Sequence, residues 1–211
     1  LAENFTLEEG KKLVDQEEYK QAKDILLRVV EKEPENAEVN FLLCKVFLIL
    51  GDHDKSIKYG KKAVKLDPSV SDYHLWLGRA HGTQAQKGSK LKAIFRAKRA
   101  KNEFEKAVAS DSTGIEARFD LAQYLLMAPG IAGGDKQKAK AHMKVLEGLD
   151  SLYGAIAWSF YWQNRKDTAK TENYLKAAVR LDTTSAHWAT YMYGQFLHNQ
   201  KRYHQAVEVY E

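Results

Sequence analysis

The sequence predicts an all-α solenoid of antiparallel helix pairs, and three features of its 211 residues carry that prediction. The first is spacing. Between Ala37 and Val70, one segment places Phe41, Leu42, Val46 and Phe47 on a face with small Cys44 among them. A second places Ser56, Ile57, Gly60, Ala63 and Val64 at the three- and four-residue steps that align side chains on a helix. The second feature is repetition. Sliding the chain on itself by 34 residues superposes Gly10 on Cys44 on Gly78, Ala22 on Ser56, and Pro34 on Pro68. That period, with helix–turn–helix content, marks a stack of like units. The third is composition. With 44% hydrophobic and 29% charged residues, three prolines and no long apolar run, neither disorder nor a membrane span is expected.

The first unit predicts helices over Asn4 to Val14 and Tyr19 to Glu31, separated by Asp15-Gln16-Glu17-Glu18 and closed at Pro34. Gly10 lets the second helix approach, Leu13 fills the space beside it, and Tyr19, Ala22, Leu26 and Val29 supply the opposing face. Proline stops the helix because the residue before it is pushed out of helical geometry. These residues resemble the tetratricopeptide repeat: a small residue, a large apolar one three later, alanine in the second helix, further apolar residues and a terminal proline.

The resemblance covers nearly the whole chain. The small slot reads Gly10, Cys44, Gly78, Ala122, Ser159 and Gly194, and the second-helix slot reads Ala22, Ser56, Ala100, Ala139, Thr171 and Ala206. The two slots are 12 residues apart in four units, as from Gly10 to Ala22, but 22 apart from Gly78 to Ala100 and 17 from Ala122 to Ala139. A single array over 1–211 is therefore expected, with repeats near 3–36, 37–70, 71–114 (long), 115–151 (long loop), 152–186 and 187–211 (truncated). In the terminal slot Ser112, Ser151 and Thr183 replace proline, although Asp67, Asp111, Asp150 and Asp182 precede it each time. The long third unit and the stretches Ala117-Arg118-Phe119-Asp120-Leu121 and Ala128 to Gly134 resemble bacterial tetratricopeptide proteins of unassigned function. The resemblance implies a right-handed superhelix whose first helices line a concave groove, acting as a non-catalytic scaffold for a protein or peptide.

Charge and cysteine exclude some classes. A net charge of +5 is too weak to imply nucleic acid. Cys44 alone forms no intramolecular disulfide and no cysteine-based zinc site. No signal segment is visible, and the compartment stays open between cytoplasm and periplasm. The Gly130 to Gly134 loop lacks the preceding strand and closing Gly-Lys-Ser/Thr of a phosphate cradle and reads as a connector. The seven histidines form no metal-binding or catalytic spacing, so they are expected at the surface or in the groove, with no cofactor and no enzyme activity.

Two sets of residues could bind a partner. The inward-facing slots of the first helices hold Leu7, Phe41, Leu75, Phe119, Ile156 and Tyr191, and four residues further stand Lys11, Lys45, Arg79, Gln123, Phe160 and Gln195. Three residues before the first set come Asn4, Glu38, Asp72, Glu116, Tyr153 and Trp188. An apolar strip is thus bracketed by charge early in the chain and becomes aromatic later. Two readings stand: the charges pair between neighbouring repeats and the aromatics pack on each other, or the strip recognises a peptide. A clamp for a C-terminal carboxylate is not expected, since the matching slots hold Leu7, Lys11, Leu42, Asp72 and Trp76.

The second set is the helix carrying Lys90, Lys92, Arg96, Lys98, Arg99 and Lys101, a candidate surface for an acidic protein, RNA or lipid. Its buried face is expected to hold Ala93, Phe95, Ala97, Ala100, Phe104 and Ala107. Aromatics do not interleave with these charges as single-strand binders require, so nucleic acid is disfavoured. At the other end, Val207, Val209 and Tyr210 are expected to be partly uncovered, with a continuation of the polypeptide past Glu211 or self-association through this end covering them.

Overall fold

The computed structural model describes residues 5–85, 89–183 and 187–210. Among these there are twelve α-helices and no strand. They run α1 (Leu7–Asp15), α2 (Tyr19–Lys32), α3 (Ala37–Ile49), α4 (His53–Leu66), α5 (Ser71–Ala85) and α6 (Lys90–Ser110). Then follow α7 (Ile115–Met127), α8 (Lys136–Leu149), α9 (Ser151–Asn164), α10 (Thr168–Leu181), α11 (Trp188–Asn199) and α12 (Tyr203–Tyr210). Asn4, placed at the start of the first helix from the sequence, lies outside the described residues. The chain forms two compact units, Leu1–Ala117 and Arg118–Glu211. In the first, each helix from α1 to α6 packs on the next, and α3 also touches α1 and α5; in the second, α8 to α12 pack in the same successive way.

All twelve residues of the two small slots are buried, which is what close approach of paired helices demands. In the second pair the contact is also polar, for Ser56 Oγ donates to the Cys44 carbonyl at 2.8 Å. Short turns inside the pairs share one geometry. At Glu17, Gly51, Lys166 and Lys201 the chain turns left-handed, with φ of 61°, 84°, 60° and 59°. The next amide then reaches back to the helix, as from Asp52 N to the Phe47 carbonyl at 2.9 Å and from Asp167 N to the Trp162 carbonyl at 3.0 Å. Carbonyls left open at the end of the first helix are thereby satisfied, in the pattern of a Schellman cap.

Between pairs, aspartate does the work expected of proline. Asp67, Asp111, Asp150 and Asp182 are the C-caps of α4, α6, α8 and α10, and each leaves helical geometry. Each side chain then accepts from the following segment: Ser69 N, Thr113 N, Tyr153 N and Ala189 N, at 2.8 to 3.0 Å. One residue thus ends a helix and organises the next, which explains why Ser112, Ser151 and Thr183 can stand where proline was lost.

The two irregular units resolve differently. In the fourth, a 3-10 turn at Gly130–Ala132 is tied down by the Tyr124 hydroxyl, which donates to the Ala132 carbonyl at 2.7 Å. Gly133 has a φ of 91°, and a side chain on Gly134 would fall on the Ala128 carbonyl. In the third, the extra residues lengthen α6 to 21 residues beside a 15-residue α5. Only Ala100, Phe104 and Ala107 of α6 are buried. Phe95, assigned to the buried face from its spacing, is 59% exposed. It lies in the half of α6 where no residue is buried.

The histidines also depart from expectation. His74 and His81 are buried, neither at the surface nor open to a groove. His74 meets the Glu103 carboxylate at 2.6 Å through Nδ1 and lies 3.0 Å from the Pro68 carbonyl through Nε2. Burial pushes the Glu103 carboxyl up, and hydrogen bonds from His74 and Lys106 outweigh it, leaving the carboxyl below its usual range.

Candidate functional site

The face made by the first helices differs between the units. In the first it is a ladder of paired charges and stacked rings. Lys11 on α1 reaches Glu38 on α3 at 2.8 Å, and that hydrogen bond raises the lysine's pKa. Phe41 on α3 stacks on Tyr73 of α5 with centroids 4.9 Å apart. Lys45 and Arg79 lie over the Trp76 ring, at 5.1 and 4.8 Å, and Arg79 also donates to Glu116 at 2.8 Å. The acidic and basic rows therefore meet each other at Lys11–Glu38 and Arg79–Glu116. Such solvent-screened pairs contribute little to stability, but they register successive helices. Leu75, assigned to the binding strip, is 2% exposed and packs inside.

In the second unit the face is aromatic and uncharged. Phe119 on α7 contacts Tyr153 and Phe160 on α9 and Trp188 on α11, with centroids 5.4, 6.3 and 5.8 Å apart. Tyr153 and Trp188 close the cluster at 5.7 Å. Phe119 is buried at its centre, and Ile156 is 0% exposed behind it. Neither offers a contact surface. Gln123 is half-exposed on α7.

Beside the cluster, α9, α10 and α11 enclose a cleft of 250 Å³. Four residues singled out from the sequence line it: Phe160, Trp188, Tyr191 and Gln195. Leu175, Met192 and Phe196 form other apolar walls, and Gln163 and Asn199 stand with Gln195 as side-chain amides. Tyr191 is 58% exposed. Sequence reading missed Gln163 and Asn199, although each follows a recognised residue by one helical turn, Phe160 and Gln195 respectively. It also missed Tyr73, which stacks on Phe41 although the repeat aligns Phe41 with Leu75.

A network links α10 to α11 and to Arg202, just before α12. Glu172 on α10 receives both terminal nitrogens of Arg202 and, at 3.0 Å, the Tyr193 hydroxyl, while Lys176 lies 2.9 Å away. Hydrogen bonding from Arg202 first, then from Lys176 and Tyr193, holds the Glu172 carboxyl down at about 2. Tyr210 on α12 donates its hydroxyl to the Tyr191 carbonyl at 3.3 Å.

Of the basic set on α6, Lys101 pairs with Glu105 at 2.7 Å, and Arg96 donates to the Gln84 carbonyl at 3.1 Å. Lys90, Lys92, Lys98 and Arg99 are exposed. Among the described residues no cluster of three or more histidine, cysteine or acidic side chains could hold a metal ion, and no helix is long and apolar enough to cross a membrane.

A sequence model described as tetratricopeptide repeat matches residues 7–71. No curated protein matches the chain. Among solved structures it is similar to TTC0263, a thermophilic tetratricopeptide protein of Thermus thermophilus, with a TM-score of 0.76 and 16% identity over 90% of this chain and 96% of that one. MamA gives 0.61 with 18% identity, over 81% and 92%. YrrB, described as a tetratricopeptide protein with an unusual peptide-binding site, gives 0.58 with 16% identity, over 91% and 88%. At these identities the likeness is one of fold. Residues 7–71 thus carry the tetratricopeptide repeat signature, and the chain as a whole has the fold of these tetratricopeptide proteins.

Proposed function

We propose that the protein is a non-catalytic scaffold that holds a peptide or helix of a protein partner against the face of its first helices. One observation carries the reading: Phe160, Trp188 and Tyr191 converge on a 250 Å³ cleft that also presents the amides of Gln163, Gln195 and Asn199. Aromatic walls take up a large apolar side chain, and the amides pair with the backbone that carries it. Fixed aromatic rings lose little conformational entropy on binding, which favours them as anchors. The ladder from Lys11 to Glu116 supports the same role differently, since the pairs Lys11–Glu38 and Arg79–Glu116 keep successive first helices in register. The peptide-binding site that gives YrrB its description belongs to a protein of the same fold and supports the reading by analogy.

Selection of a random peptide display library on the purified protein tests this. Peptides with one large apolar or aromatic residue are expected to enrich. The double variant Phe160→Ala, Tyr191→Ala is expected to lose them by at least about 2 kcal/mol, the scale of an anchor residue. Failure to enrich any peptide, or equal binding by the double variant, contradicts the reading.

A further inference from the structure

The first half of α6 carries a surface that the peptide scaffold does not use. Leu91 and Phe95 are 65% and 59% exposed, four residues apart on one face. Lys98 continues that face one turn on, with Arg99 and Lys92 along one flank and Lys90 along the other, all exposed. Helical spacing sets this ridge opposite Ala100, Phe104 and Ala107, the residues that bury α6. Residues 90–102 include no acid. The acids further along are engaged, Glu103 with His74 and Lys106, and Glu105 with Lys101.

We propose that residues 90–99 of α6 dock on an anionic lipid bilayer. Two large apolar side chains on the crest of a helix, flanked by cations on long aliphatic stems, match the boundary between headgroups and acyl chains: the apolar pair inserts and the charges stay at the phosphates. The ridge is convex, and a deformable surface accepts a ridge without needing a complementary groove. Against RNA the aliphatic Leu91 has no role and Phe95 is a single stacking ring, so nucleic acid fits less well. Two inserted side chains give weak binding alone, and the four cations set its dependence on lipid charge and salt.

Flotation of the whole chain with vesicles tests the proposal. The protein is expected to float with vesicles of phosphatidylcholine and phosphatidylserine, not with pure phosphatidylcholine, and to be released by salt. Changing Lys92 or Lys98 to glutamine is expected to weaken binding about fivefold each at low ionic strength. Leu91→Ser with Phe95→Ser, both exposed and so without cost to folding, is expected to abolish it while the circular dichroism stays unchanged. Absence of flotation with the anionic vesicles, equal flotation with both kinds, or variants that float like the parent overturns the proposal. So does retention on polyuridylate or polyglutamate through these residues without flotation, which assigns the ridge to another anionic macromolecule.

Discussion

A β-carbon added at Gly78 would stand 2.7 Å from the ring of Phe104, the buried aromatic that joins α6 to α5. A buried ring has little room to retreat. Gly78→Leu is therefore expected to cost about 1–3 kcal/mol by overpacking. One turn later on the same helix the geometry reverses, for among the described residues a β-carbon at Gly82 would meet only Ala100 Cβ, at 3.9 Å. Gly82→Ala is expected to stabilise by up to about 1 kcal/mol through helix propensity. Urea denaturation of both variants checks the pair, and shifts of the same sign would contradict this packing.

Left-handed turns make a second prediction. Lys166 has a φ of 60° and is exposed, in the position that Gly51 occupies between α3 and α4. A side chain there is strained and glycine is not. Lys166→Gly is expected to raise the thermal midpoint, by a stability gain of about 1 kcal/mol, the lower end of the cost of the left-handed conformation. Lys166→Ala, which keeps the β-carbon, should not.

His81 supplies a pH dependence. Its ring is 3% exposed and its Nδ1 has no hydrogen-bond partner among the described residues. Burial first, with Lys61 and Arg99 nearby, lowers its pKa from 6.5 to about 4. Between those values the unfolded chain takes up a proton that the folded chain refuses, so stability falls as the pH drops from 6.5 towards 4. The loss is on the order of 2–3 kcal/mol. Denaturation midpoints of the parent and His81→Leu at about pH 7 and about pH 4.5 are expected to show a smaller acid loss in the variant; equal losses would remove His81 as the cause.

Cys44 is expected to be inert. It is buried, a β-carbon at Gly60 would press on its Sγ at 2.8 Å, and burial raises the thiol to about 11. A thiol held in that state offers little thiolate at neutral pH. Labelling by an aromatic disulfide reagent should follow unfolding, and rapid labelling of the native protein would contradict this burial.

How much of this was legible in the sequence follows from what each feature depends on. The small slots were legible because two helices can approach closely only where both carry small residues, so Cys44 with Ser56 announces its own contact. Phe160, Trp188, Tyr191 and Gln195 were legible as one set because they repeat along one face. Leu75 and Ile156 have the same periodicity and are buried, since spacing gives the face of a helix but not how far the neighbouring helix covers it. Phe95 fails for the same reason: it fits the helical spacing of the α6 face, but burial on that helix begins only at Ala100. The burial of His74 depends on Glu103, 29 residues away, and only the folded chain brings them together.

The most direct test of the scaffold reading is a titration of isotope-labelled protein with a selected peptide, followed by nuclear magnetic resonance. The side-chain amide signals of Gln163, Gln195 and Asn199 and the indole signal of Trp188 are expected to shift together and saturate at one affinity, with the backbone of Lys98 and Arg99 unmoved. Shifts confined to α6, or a saturable titration that leaves those four side chains unchanged, would contradict it.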